Sequence, residues 1–151
     1  KAINILLLKG DKVLLRLIGS GNKLDECCNY VKEHNLDFII SFESEKDHSA
    51  LNIFYNEIDL FVLPSYYEAL GCVYLESWAT NTPFIAVINQ GISELIPDDM
   101  KKKLLVSKSN ELDLSERILD LKNNPVIFHF DEKYNIKNTI LEFLKNQISN
   151  E

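Results

Sequence analysis

The chain has 151 residues, 46% of them hydrophobic and 26% charged, and 16 Lys and Arg against 23 Asp and Glu give a net charge of −7. At roughly 150 residues per domain, residues 1–151 form one domain able to bury about two-thirds of its unfolded surface, which excludes disordered, collagen-like and low-complexity chains. The acidic balance argues against a nucleic-acid partner, which calls for a net basic face, but leaves room for a local phosphate site.

The opening stretch Ile3–Leu8 reads either as a strand turning back at Gly10-Asp11 or as the tail of a helix. Val13–Ile18 is a short apolar run closed by Gly19-Ser20-Gly21. In Lys23–His34, Leu24, Cys27, Cys28 and Val31 recur at helical spacing. Phe38–Phe42 is a second strand-like run, and Ser49 is the expected N-cap of a helix carrying Leu51, Phe54 and Tyr55. Asp59–Leu63 is a strand stopped by Pro64, Gly71–Asn81 a helix, and Pro83–Ile88 a buried strand with proline at its first position. Lys101-Lys102-Lys103 after Asp98-Asp99 reads as a solvated turn. Leu104–Val106 is a short strand, and Leu112–Leu121 and Ile136–Ile148 are amphipathic helices.

Strands alternating with helices of about ten residues define βαβ units, hence an α/β domain with a parallel sheet covered on both faces. The strands are continuous apolar runs, as such a sheet requires. Three cysteines, two of them adjacent, make neither a disulfide framework nor a zinc site, and the three histidines show no metal spacing. No signal-peptide pattern opens the chain and no apolar run reaches a membrane span, so the expected compartment is the cytoplasm.

Ligands of open parallel sheets bind beyond the carboxyl ends of the strands. The loops to inspect are therefore Gly19–Asn22, Phe42–Ser49, Ser65–Gly71 and Asn89–Glu94. The most informative runs from Pro64 to Glu76: a strand ends, a loop presents Glu68, Gly71 opens a helix, and Glu76 follows about one and a half turns later. The free N–H groups at that helix start form an anion site, and Gly71 has no side chain to hold a phosphate away. Glu76 is placed to accept hydrogen bonds from two neighbouring hydroxyls, such as a ribose diol. Anion site plus diol acceptor describes a nucleotide diphosphate, with Glu68 facing whatever the diphosphate carries.

Two glutamates with seven residues between them, after a strand ending in Pro-Ser, resemble the signature of retaining glycosyltransferases built from two Rossmann-like domains, the GT-B architecture. Leu17–Gly21, Asp59–Ser65, Pro83–Ala86 and Gly91–Ile96 match further pieces of that family, in order and at the right separations. The similarity is to the C-terminal, donor-binding half, a doubly wound parallel sheet, and it weakens after about residue 125.

The resemblance implies roles. Glu76 would bind the ribose hydroxyls, and Glu68, the catalytic candidate, would contact the donor sugar. The amides near Leu70, Gly71, Cys72 and Val73 would hold sugar or phosphate, with Gly19 and Gly21 as loop glycines that a ligand approaches. Lys1 aligns with a family lysine that grips the diphosphate, and this match favours a helix over Ile3–Leu8. The family's first strand, carrying an arginine, would then precede residue 1 and lie between the strands Val13–Ile18 and Asp59–Leu63. Glu43 stands where the family has glycine beside the base. The implied ligands are a nucleotide sugar and a glycan or lipid-linked acceptor, with no metal. The acceptor domain would lie outside these residues, the 151-residue piece would be inactive alone, and the full enzyme could meet a membrane peripherally. A rival from another class is a non-catalytic module that keeps the fold as a partner or scaffold surface.

Overall fold

Apolar strands and amphipathic helices alternate along the chain in the computed structural model, which describes residues 1–127, 129, 131, 134, 135, 137 and 138. The elements are α1 (Ala2–Leu8), β1 (Leu15–Ile18), α2 (Leu24–Glu33), β2 (Ile40–Glu43), α3 (His48–Asn56) and β3 (Phe61–Val62). They continue with α4 (Cys72–Ala79), β4 (Phe84–Val87), α5 (Ile92–Leu95), α6 (Asp98–Leu104), β5 (Leu105–Val106) and α7 (Glu111–Asn123). Ile3–Leu8 is helical, so the alternative of a hairpin with Val13–Ile18 is set aside. The helix expected over Ile136–Ile148 lies outside the described residues, apart from Lys137 and Asn138.

Every ladder among the described residues is parallel. Leu15 pairs with Ile40 and Ile18 with Glu43; Phe61 pairs with Phe84, and Ala86 with Leu105. The strands form two sheets, β1-β2 and β3-β4-β5, with no ladder from β1 to β3 among the described residues. The division falls where the resemblance puts a further strand.

β4 is the centre of the core. Phe84, Ile85 and Ala86 are fully buried and Val87 is 1% exposed, because strands lie on both sides and helices on both faces. Leu6 of α1, Tyr74 and Trp78 of α4, Ile92 of α5, Leu104 of α6 and Ile118 and Leu121 of α7 join the same cluster. Aromatic rings run through it in contact: Tyr55 to Phe61 at 5.5 Å, Phe61 to Tyr74 at 5.9 Å and Tyr74 to Phe84 at 5.1 Å between centroids.

Two local expectations are corrected. The cap of α3 is Asp47, whose carboxylate accepts from the Ala50 amide at 2.9 Å, while Ser49 sits inside the first turn and donates to Asp47 at 2.6 Å. A carboxylate is the stronger acceptor for the free amides of a helix start. Asp98–Leu104 is a helix and not a solvated turn. Its acids lie in the first turn and its lysines in the last, each complementing the dipole, and Leu104 anchors it in the core.

Phe84→Ala removes a fully buried ring between Tyr74 and Trp78. It should cost about 3–5 kcal/mol, read as a lower urea midpoint at unchanged slope. A loss below about 1 kcal/mol would mean that β4 is not the packing centre.

Candidate functional site

β3 ends at Val62, and Pro64, which lacks an N–H for further pairing, turns the chain into the loop 65–71. Three contacts hold that loop. The buried Tyr74 hydroxyl donates to the Leu63 carbonyl at 2.6 Å, and the Glu68 amide donates to Gln90 Oε1 at 2.6 Å. The third is a close backbone approach. A methyl on Gly91 would stand 1.7 Å from the Ala69 carbonyl oxygen, so only glycine lets the loop after β4 lie against Ala69 and Leu70.

The loop delivers Gly71 to the start of α4 with φ +71, a left-handed conformation that glycine adopts freely. A side chain at this position would be 2.6 Å from the Tyr74 ring and 3.0 Å from Glu68 Cγ, which shows Glu68 folded back toward the helix start. No side chain caps α4, so the first-turn amides, including those of Cys72 and Val73, face outward at the positive end of the dipole. Burial pushes the Tyr74 phenol above its ordinary range, and the charge of Glu68 adds to the shift.

Glu76 lies on the same helix, about a turn and a half further in. The Tyr55 hydroxyl donates to Glu76 Oε2 at 3.3 Å, and His48 Nδ1 lies 3.9 Å from Glu76 Oε1. Tyr55 is itself fixed, since its carbonyl accepts from the buried Thr82 hydroxyl at 2.7 Å. Burial, with the Glu76 charge behind it, raises the Tyr55 phenol well above its usual value and keeps it a neutral donor. Glu76 is thus an aimed carboxylate with 30% of its side chain open to solvent.

Glu68, Leu70, Gly71, Cys72, Val73 and Glu76 therefore converge on one helix start. Lys1 stands apart from them. Its ammonium lies 3.6 Å from Glu111, beside a cavity of about 250 Å³ shared with Pro64, Ser107 and Asn110. Gly19 opens on a second cavity, at the ends of β1 and β2, and Gly21 lies in the same loop. Glu43 is held by Arg16, whose Nη2 lies 3.1 Å away, and by Lys46 at 2.9 Å. The hydrogen bond from Arg16, followed by that from Lys46, lowers the Glu43 carboxyl to about 2. Arg16 also pairs with Glu57 at 2.9 Å and covers the Phe54 ring.

Gln90 and Tyr55, which hydrogen-bond Glu68 and Glu76, are not singled out in the sequence, where Tyr55 reads as a helix residue beside Leu51 and Phe54 and Gln90 falls within the loop Asn89–Glu94. Nor is the loop after β5, whose Lys108 ammonium sits 3.4 Å from the centre of the Tyr66 ring. Among the described residues there is no group of three or more His, Cys, Asp or Glu that could hold a metal ion, and no helix long and apolar enough to cross a membrane.

Parallel α/β layers with a clamped loop and an uncapped helix start beyond β3 define a Rossmann-like α/β domain. The chain belongs to the family of glycosyl transferases group 1, whose model matches residues 1–146. It is 32% identical over 126 residues to the uncharacterized glycosyltransferase MJ1178 of Methanocaldococcus jannaschii, covering 82% of this chain and 35% of that protein. The chain thus spans about a third of that relative's length. Among solved structures it is similar to the pneumococcal O-GlcNAc transferase GtfA in complex with UDP and GlcNAc, with TM-score 0.76 at 17% identity, covering 99% of this chain and 31% of that one. Anabaena HepE in complex with UDP and glucose gives TM-score 0.75 at 18% identity, over 96% of this chain and 44% of that one. These likenesses establish a Rossmann-like α/β fold.

Gly91→Ala should push the 65–71 loop off the turn after β4, since the new methyl meets a backbone carbonyl that no rotamer change can clear. Hydrogen exchange should show faster exchange at the Glu68 amide, together with a stability loss of about 1–3 kcal/mol. Wild-type protection and stability in the variant would show that the close approach does not hold the loop.

Proposed function

We propose that this chain is the donor half of a retaining glycosyltransferase, holding a nucleotide-diphosphate sugar for transfer to a glycan or lipid-linked acceptor. The observation that carries this reading is the pairing of Glu68 and Glu76 about one uncapped helix start, each steadied by a residue from a different element. The family membership and the UDP-bound state of the structures similar to it support the same reading.

Glu76 accepts hydrogen bonds from the ribose hydroxyls, with Tyr55 fixing one of its oxygens. The amides of Leu70, Gly71, Cys72 and Val73 take the diphosphate and the near side of the sugar. There the helix dipole favours the negative charge that grows as the sugar leaves. Glu68 faces the sugar itself. In a retaining transfer the acceptor hydroxyl attacks on the face that the diphosphate vacates, and the departing phosphate oxygen helps accept its proton. Lys1, which shares a cavity with Pro64 at the start of the 65–71 loop and pairs with Glu111 at 3.6 Å, is the candidate cation for the diphosphate once it exchanges Glu111 for the ligand. No metal ion is needed for this scheme.

Acceptor recognition belongs to a further domain outside these residues, and a strand from outside them joins β1 to β3. Accordingly the 151-residue piece alone should transfer no sugar from a nucleotide-sugar donor in a radiolabel assay. Measurable turnover by the piece would refute that division of labour.

In the whole protein, Glu76→Ala should weaken a nucleoside diphosphate and its sugar-bearing form alike, by about ten- to a hundredfold, because both carry the ribose. Glu68→Ala should chiefly lower turnover and the affinity of the sugar-bearing ligand. Calorimetric titration of both variants separates the roles. Equal losses for both ligands in both variants would contradict the assignment, and no nucleotide binding in the wild type would favour the scaffold alternative.

A further inference from the structure

The second cavity has a volume of about 500 Å³ and opens between the loops that follow β1 and β2. Ser20, Leu24, Phe42, Glu43, Ser44 and Glu45 line it. Leu24 and Phe42 give it an apolar wall against which a flat ring can lie. From Glu45 the chain runs through Lys46 and Asp47 to His48, whose ring is 3.9 Å from Glu76. A base is joined directly to its ribose, so a ribose held at Glu76 sends its base toward this neighbouring cavity.

The polar groups that meet such a base are unequal. Glu43 is already occupied by Arg16 and Lys46, and this pairing occupies both of those cations as well. Glu45 is exposed and accepts from the Ser20 hydroxyl, and no other hydrogen-bond partner of Glu45 occurs among the described residues. That bond crosses the cavity mouth from one loop to the other and fixes the direction of the carboxylate. An ionised carboxylate only accepts hydrogen bonds, through two oxygens side by side. Guanine offers two adjacent donors on one edge, its ring N–H and its exocyclic amine. Uracil offers one N–H flanked by two carbonyl oxygens, which a carboxylate repels. Adenine and cytosine each set an amine beside a ring-nitrogen acceptor.

We infer that Glu45, oriented by Ser20, selects the base of the donor nucleotide and that the base it selects is guanine. The inference rests on the donor-site reading above and extends it to the class of nucleotide. The UDP-bound structures described above are 17% and 18% identical to this chain and share its fold, which does not carry over the identity of the base.

The test is calorimetric titration of the whole protein, wild type and Glu45→Gln, with GDP, UDP, ADP and CDP. The wild type should bind GDP at least about tenfold more tightly than the other three, the discrimination of a good bidentate pair. Glu45→Gln, an exposed substitution that leaves the melting temperature in place, should remove most of that preference, because an amide presents one acceptor and one donor. UDP, ADP or CDP matching GDP would overturn the base assignment while leaving the donor site standing. A GDP preference unchanged in Glu45→Gln would overturn the role of Glu45. Binding of none of the four would overturn both the base assignment and the donor-site reading.

Discussion

The missing side chain of Gly91 is the constraint on which the site depends. Backbone packs directly on backbone where Ala69 and Leu70 meet the turn after β4, at a separation no Cβ could share. Loops beyond strand ends are ordinarily the mobile parts of an α/β domain. Here one such loop is pinned by a steric fit, and Gln90, the residue before that glycine, adds a hydrogen bond to the Glu68 amide. The same two residues after β4 therefore set both the path of the loop and the place from which Glu68 projects.

A second device ties the site to the core. The aromatics Tyr55, Phe61, Tyr74 and Phe84, in edge and tilted contact, are structural rings, yet two of them end in hydroxyls that reach the site. Tyr74 holds the Leu63 carbonyl, and Tyr55 reaches Glu76. Burial raises both phenols above their ordinary range, so each is a neutral donor at neutral pH. Carboxylates steered by buried donors keep one orientation at low entropic cost, which favours a ligand that must be aligned for reaction.

The charge distribution sorts itself by the same logic. With a net charge of −7, the domain would repel a nucleotide at long range. The cations near the loops are already engaged: Arg16 and Lys46 with Glu43, Lys1 with Glu111, and Lys108 over Tyr66. What remains for an anion is the helix start at Gly71, where amides bind without bringing a mobile counter-charge. This fits a pocket for a diphosphate better than a general basic surface does.

Composition, period and the order of loops made the α/β class, the parallel ladders and the Glu68–Glu76 pair legible in the sequence, because those features are written in neighbouring residues. Strand and helix spans followed from runs such as Phe84–Val87, whose burial leaves no polar position to confuse the pattern. The Asp47 cap and helix α6 are not legible in the sequence because capping and short-helix stability depend on which acceptor wins and which leucine finds the core. Gln90, Tyr55 and Ser20 are different in kind. Tyr55 and Ser20 donate to the carboxylates of Glu76 and Glu45 and Gln90 accepts from the Glu68 amide, each between 21 and 25 positions away, across loops or helices that only the fold brings together. A sequence lists which groups can hydrogen-bond. Which of them do is decided by the tertiary structure, since a hydrogen bond needs about 3 Å, and only the pairing of β1 with β2 and the packing of β3, β4 and α3 bring those atoms that close.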